Sequence, residues 1–217
     1  MRIGIFGTGT VGQTIGTKLV SLGHEVRLGS RSADNEKAGG WVKSAGKGAS
    51  QGTFADAATF GELLFNCTAG GASLEALRLA GAGNLDGKVL VDVANPLDFS
   101  RGMPPTLTVC NSDSLGEQIQ RAFPGARVVK SLNTVNCMVM VDPARIPGDH
   151  AIFVSGNDAA AKRQVSDMLR QWFGWRQVID LGDISAARGT EMYLTLWLRM
   201  MGALKTANFN VAVARGA

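Results

Sequence analysis

The run Ile3-Gly4-Ile5-Phe6-Gly7-Thr8-Gly9-Thr10-Val11-Gly12 constrains this chain more than any other. An apolar strand enters Gly-x-Gly-x-x-Gly and a helical pattern follows at once, the order that a dinucleotide-binding turn requires. Gly7 permits the tight turn, Gly9 lets backbone approach a pyrophosphate, and Gly12 lets the helix pack on the strand. The free N–H groups and the dipole of the helix start then favour phosphate charge. Thr8, Thr10 and Val11 complete the candidate pyrophosphate-binding set. With 28 glycines in 217 residues the motif alone is weak; its flanking strand and helix give it weight.

The second strand, read as Glu25 to Gly29, selects the cofactor. An NAD-selective turn places a carboxylate about 20 residues past the glycines, for the ribose 2′-hydroxyl. Here the strand ends Gly29-Ser30-Arg31-Ser32. A guanidinium flanked by hydroxyls suits a 2′-phosphate, so NADP is expected, with Ser30, Arg31 and Ser32 as its ligands. A simpler reading stays open, in which Ser32 caps a helix over Ala33 to Ala45 and Arg31 is merely solvated.

Further strands are expected near Gly48–Thr53, Leu63–Thr68, Val89–Val93 and Ala126–Lys130, with helices between them. Ligands of an open α/β sheet sit at strand carboxyl ends, which places Thr68 and Ala69 beneath the cofactor ribose. Asn95-Pro96 makes a rigid turn beside the nicotinamide, or only ends a strand. Residues 98–108 read as loop. Ser114-x-x-Glu117 reads as a capping box, and Ala151–Ser155 and Gln177–Asp180, flanking a helix at Ala159 to Trp172, extend the sheet. The fold class expected is α/β: a doubly wound, Rossmann-type, mainly parallel sheet over residues 1–182, with a C-terminal helical segment over 183–217.

That segment holds a helix from Ile184 to about Ala207 carrying Met192, Leu194, Leu196, Trp197, Leu198, Met200, Met201 and Leu204. It is apolar nearly all round, so both sides need cover. It is expected to wall the acceptor site and to join a homodimer, although a Met-rich helix also suits a core. At 45% hydrophobic and 18% charged, the chain has material for a sizeable core. No basic run interleaved with aromatics points to nucleic acid. The longest apolar stretch is too short to span a bilayer. Three cysteines without Cys-x-x-Cys suit a reduced, cytoplasmic protein, and two histidines make a histidine-based metal site improbable.

The glycine turn with Thr8, the phrases Leu22-Gly23-His24-Glu25 and Gly29-Ser30-Arg31, and the closing Arg188-Gly189-Thr190-Glu191 together resemble the NADP-dependent oxidoreductases that use coenzyme F420, a deazaflavin. Lys88 to Pro96 and Phe123 to Asn133 are similar to the cytosolic oxidoreductase domain of the STEAP metalloreductases. The resemblance implies hydride exchange between NADP(H) and a flavin-like acceptor: coenzyme F420, FMN or FAD. It implies that Thr8, Ser30 and Arg31 hold the 2′-phosphate. Asn95, Pro96, Asn133, Thr134 and Val135 would border the nicotinamide and the acceptor, with Asn133, Thr134 and Asn95 as the catalytic set. The deazaflavin enzymes carry histidine where this chain has Asn133, whereas the metalloreductase domains carry asparagine, so an ordinary flavin stays in play. Hydride transfer between stacked rings asks the protein for orientation and a dry cavity rather than an acid or nucleophile. The rival expectation is a non-catalytic NADP sensor.

Overall fold

The computed structural model describes residues 1–216. Strand β1 (Arg2–Phe6) runs through the glycine turn into α1 (Thr10–Ser21), whose buried Gly12, Ile15, Gly16 and Leu19 keep helical spacing. Then come β2 (Glu25–Ser30), α2 (Glu36–Ala45), β3 (Ala49–Thr53), α3 (Phe54–Phe60), β4 (Leu63–Asn66), α4 (Gly70–Ala80), the single turn α5 (Ala82–Leu85) and β5 (Val89–Asp92). A small hairpin, β6 (Leu97–Asp98) and β7 (Thr106–Leu107), occupies the stretch expected as loop. The remainder is α6 (Leu115–Ala122), β8 (Arg127–Ser131), α7 (Cys137–Val141), β9 (Ala151–Ser155), α8 (Ala159–Met168), β10 (Gln177–Asp180) and α9 (Ala187–Leu204).

Eight strands form one sheet in the order β10-β9-β8-β5-β4-β1-β2-β3. From β3 to β8 every neighbouring pair is parallel, so the expected doubly wound, mainly parallel sheet is the one observed. The chain leaves β1 towards β2 and β3 and then restarts with β4 on the other side. The β1/β4 junction is therefore the switch point where such sheets bind ligands. Beyond β8 the sheet reverses. β9 pairs antiparallel through Lys130↔Ser155 and Ser131↔Val154, and β10 follows parallel to β9. The connection over residues 132–150 stays at the carboxyl end of β8, with α7 packed on α1, so the chain re-enters the sheet from that end.

Side chains alternate between two cores, as the strand period of two dictates. Ile3, Ile5, Leu63, Phe65, Val89, Val91 and Val129 face α1, α2, α7 and α8. Phe6, Leu64, Leu90 and Val128 face α3, α4 and α6. On the second face β1 ends in Phe6, whereas its three neighbours towards β8 end in a polar residue: Asn66 of β4, Asp92 of β5 and Lys130 of β8. Parallel register sets Asn66 opposite Asp92 and Asp92 opposite Lys130.

Two local expectations change. Helix α2 begins at Glu36, not Ala33, because Asn35 Oδ1 accepts from the Ala38 N–H at 3.0 Å. Ser32 therefore caps no helix; its hydroxyl accepts from the Asp34 N–H at 3.3 Å. Ser114 caps α6 as expected, accepting from the Glu117 N–H at 3.1 Å. The Glu117 carboxylate does not return to the backbone. It accepts from the Ser114 hydroxyl at 2.8 Å and from the Arg188 guanidinium.

Candidate active site

The glycine turn is built by three separate constraints. Gly7 sits at φ 109, where a Cβ would lie 2.7 Å from the Cys67 carbonyl oxygen. Its N–H donates to the Gly29 carbonyl at 2.9 Å, tying the ends of β1 and β2. A Cβ on Gly12 would lie 2.5 Å from the Gly7 carbonyl oxygen, so α1 packs on the turn only without a side chain there. Gly9 differs. At φ −80 and ψ 179 any residue fits, and a Cβ would meet nothing within 4 Å. Among the described residues no contact calls for glycine at this position; what lies in front of α1 is open space, at the end of the helix that attracts anions. Gly9 is the N-cap of α1 and supplies no side-chain acceptor, leaving the first N–H groups to a ligand. Gln13 Nε2 braces the turn by donating to the Thr8 carbonyl at 2.9 Å. Thr10 opens the helix and half-buried Val11 reaches the neighbouring cleft.

At the end of β2, buried Ser30 accepts from the Ser32 N–H at 3.2 Å and donates to the Ser32 carbonyl. This closed turn leaves Arg31 exposed, and its guanidinium enters none of the ion pairs among the described residues. Thr8, Ser30 and Arg31 lie at the ends of the hydrogen-bonded neighbours β1 and β2.

A cleft of about 420 Å³ opens at the carboxyl ends of β4, β5 and β8. The structure brings Val11, Thr68, Ala69, Asn95 and Asn133 to its wall, with Leu194 and Trp197 of α9. Asn95 and Asn133 interlock: Asn95 Nδ2 donates to the Asn133 carbonyl and Asn133 Nδ2 to Asn95 Oδ1, both at 2.9 Å. Asn133 Nδ2 also donates to the Thr190 carbonyl of α9 at 3.0 Å. Leu132, buried and at φ 65, turns the chain out of β8 into this pair. A bulky side chain in the left-handed region is strained. The other two expected residues stand back. Thr134 is buried and its hydroxyl has no partner, and Pro96 is buried with its carbonyl accepting from the Thr108 N–H at 2.8 Å. Neither lines the cleft. The start of α4 abuts the turn, where a Cβ on Gly70 would collide with the Asn95 carbonyl.

Among the described residues, no carboxylate, amine, guanidinium, imidazole or phenol lines this cleft. Its two thiols are Cys67 and Cys137; burial and the nearby Asp92 charge push Cys67 well above the usual thiol range, which keeps it neutral. The wall can orient a planar ring and exclude water, but it offers no proton donor of the strength that general acid catalysis uses.

Behind the wall lies a buried polar ladder that the sequence reading did not identify. Asp92, Lys130 and Glu191 are 0%, 1% and 1% exposed. Lys130 Nζ donates to Asp92 Oδ2 and Glu191 Oε1, both at 2.8 Å, and to the Ala94 carbonyl. Asp92 Oδ1 accepts from Asn66 Nδ2 at 2.8 Å and from the Ala94 N–H at 3.3 Å. Asn66 Oδ1 accepts from the Thr68 hydroxyl at 2.7 Å. Glu191 accepts from the Leu115 and Gly116 N–H groups at 2.8 and 3.0 Å, so one carboxylate caps α6 and closes the ladder. Its excess negative charge faces the positive end of that helix dipole. Burial alone lowers the pKa of Lys130, but Asp92 and Glu191 more than offset it and hold the ammonium above its ordinary value. A signal was present, namely a lysine and an aspartate interrupting the apolar runs Val128-Val129 and Val89-Leu90-Val91.

The family described as NADP oxidoreductase, coenzyme F420-dependent, matches residues 2–96. A crystal structure from Arthrobacter sp. FB24, described as a candidate F420-dependent NADP reductase, is 54% identical, covers 99% of this chain and 100% of its own, and superposes with a TM-score of 0.94. The F420-dependent NADP reductase of Methanocaldococcus jannaschii is 33% identical over 108 residues, 49% of this chain and 48% of its own. Metalloreductase STEAP3 of Rattus norvegicus is 29% identical over 191 residues, 88% of this chain and 36% of its own. The chain thus spans less than half the length of these two curated relatives. No helix among the described residues is long and apolar enough to cross a membrane. With a Rossmann-type sheet, an open glycine turn and a full-length relative at this identity, the chain belongs to the family of coenzyme F420-dependent NADP oxidoreductases.

Proposed function

We propose that this chain exchanges a hydride between NADP(H) and a deazaflavin or flavin ring laid into the cleft. The carrying observation is the cleft wall: the interlocked amides of Asn95 and Asn133 with Asn136 beside them, one threonine hydroxyl, two thiols and otherwise apolar side chains, with no carboxylate, amine or imidazole among the described residues that line it. When bound, the nicotinamide supplies the hydride chemistry. The chain supplies the rest. The α1 N-terminus and Gly9 receive the pyrophosphate, and Arg31 and Thr8 receive the 2′-phosphate, with Ser30 holding the closed turn that presents Arg31. Thr68 and Ala69 support the ribose. The Asn95–Asn133 pair sets the plane of the ring, while Leu194 and Trp197 cover the acceptor. Ser32 and Pro96 shape the loops that carry these contacts, and Thr134 supports the turn behind Asn133.

The reading includes a homodimer joined through the outer face of α9, where Leu196 and Leu204 are 55% and 57% exposed, and a reducing, cytoplasmic setting, which suits three free cysteines. The test is steady-state consumption of NADPH, and separately NADH, with coenzyme F420, FMN, FAD or a ferric chelate. Oxidation of NADPH in preference to NADH by a ring acceptor is expected. Tight NADPH binding with no oxidation by any of the four would make the chain a sensor and end the oxidoreductase reading.

A further inference from the structure

The reciprocal Asn95–Asn133 pair of the cleft stands on the segments that leave β5 and β8. Their support comes from the ladder behind. Lys130 Nζ donates to the Ala94 carbonyl, and Asp92 Oδ1 accepts from the Ala94 N–H, so both polar groups of the residue before Asn95 are clamped. Glu191 accepts from Lys130 and from the first two N–H groups of α6, which locks the register of α9 against α6 and β8. The residue before Glu191 is Thr190, whose carbonyl accepts from Asn133 Nδ2. The other Asn133 Nδ2 bond goes to Asn95.

We propose that Glu191 and Lys130 are positioning residues for the transfer site. Glu191 holds the Thr190 carbonyl at the height where it fixes the Asn133 amide, and Lys130 holds the Ala94 turn where it fixes Asn95. Neither residue lines the cleft; each acts through an asparagine that does. The arrangement is more than a capped helix: two Lys130 donors go to Asp92 and Ala94, in the segment that leads to Asn95, and the third goes to Glu191 Oε1, which ties α9 and its Thr190 carbonyl to the strand that leads to Asn133. A carboxylate needed only for packing would not require its neighbour's carbonyl at the site.

The inference rests on the proposed hydride-transfer reading for its kinetic arm and on the ligand-free protein for its structural arm. In ¹⁵N-labelled ligand-free protein, the Asn133 side-chain NH₂ protons should exchange slowly with solvent. In Glu191→Gln they should exchange at least about tenfold faster, while the backbone amides of β1, β4 and β5 keep their protection. In the kinetic arm, Glu191→Gln should slow acceptor reduction by about ten- to a hundredfold with NADPH affinity unchanged. In an Asn133→Ala background the same change should add less than about threefold, because residues acting as a unit are not additive. Glu191→Asp, which keeps the charge, should recover part of the rate and replaces Glu191→Gln in the cycle if that variant does not fold. Unchanged Asn133 exchange, or losses that simply multiply, would overturn the proposal. If the wild type reduces no acceptor, the hydride-transfer reading fails, while the exchange arm still decides whether Glu191 positions Asn133.

Discussion

Gly9 and Gly12 stand three residues apart in one turn and answer to different demands. A methyl at Gly12 meets the Gly7 carbonyl, whereas a methyl at Gly9 meets open space. Gly12→Ala should therefore destabilise the fold by about 1–3 kcal/mol, the usual cost of overpacking, read as a lowered midpoint in urea. Gly9→Ala should leave that midpoint unchanged and weaken NADPH binding, read by fluorescence titration. Equal effects in both assays would mean that the space before α1 is not a cofactor site. Arg31 gives a second test at this scale. Arg31→Ala should lower NADPH affinity about ten- to a hundredfold, the worth of one charge-assisted phosphate contact, and leave NADH affinity unchanged. The missing carboxylate after β2 is what makes Arg31 a candidate, and the glycine turn itself was legible in the sequence because its motif is a local pattern. The left-handed Leu132 was not, since nothing in Ser131-Leu132-Asn133 announces a positive φ in a leucine.

At the scale of elements, strand existence and type were legible because buried parallel strands read as short apolar runs bounded by glycine and polar residues. Strand direction was not. The run Ala151–Ser155 looks the same in either sense, and its antiparallel pairing with β8 follows from where the 132–150 connection ends. The start of α2 was misplaced because Ser32 and Asn35 are both good caps and only the turn geometry at Ser30 chooses between them. The ladder was invisible for a related reason. Opposing Asn66, Asp92 and Lys130 requires the register of three strands, and Glu191 joins them from 61 residues beyond Lys130. Lys130→Met leaves Asp92 and Glu191 buried without their cation and should cost about 3–5 kcal/mol of stability, measured by denaturant unfolding. A pH dependence follows. The folded-state pKa of Lys130 is raised, so its contribution is full below the ordinary lysine value of about 10.4 and is lost as pH rises through the folded value. The wild type should lose stability across that alkaline window, and Lys130→Met should lose much less there.

For the whole molecule, the question is what covers the outer face of α9. Its inner face is committed: Ala187, Thr190, Glu191 and Leu194 are buried against α6, the ladder and the cleft. Met192, Met200 and Met201 are half-buried, and Leu196 and Leu204 are exposed, an apolar surface of the kind that homo-oligomers bury. Sedimentation at micromolar concentration should find a dimer, and Leu196→Asp together with Leu204→Asp should yield a folded monomer. A monomeric wild type would contradict this. The central claim is hydride transfer at the Asn95–Asn133 cleft. Its most direct test is single-turnover stopped-flow oxidation of bound NADPH by coenzyme F420 and by FMN, with the nicotinamide C4 protonated or deuterated, in wild type and Asn133→Ala. The account predicts a primary isotope effect with at least one acceptor in the wild type. It also predicts a rate lower by about ten- to a hundredfold in Asn133→Ala, at equal NADPH affinity, because geometry rather than binding is lost. Bound NADPH that no acceptor oxidises, or an Asn133→Ala protein that turns over like the wild type, would contradict it.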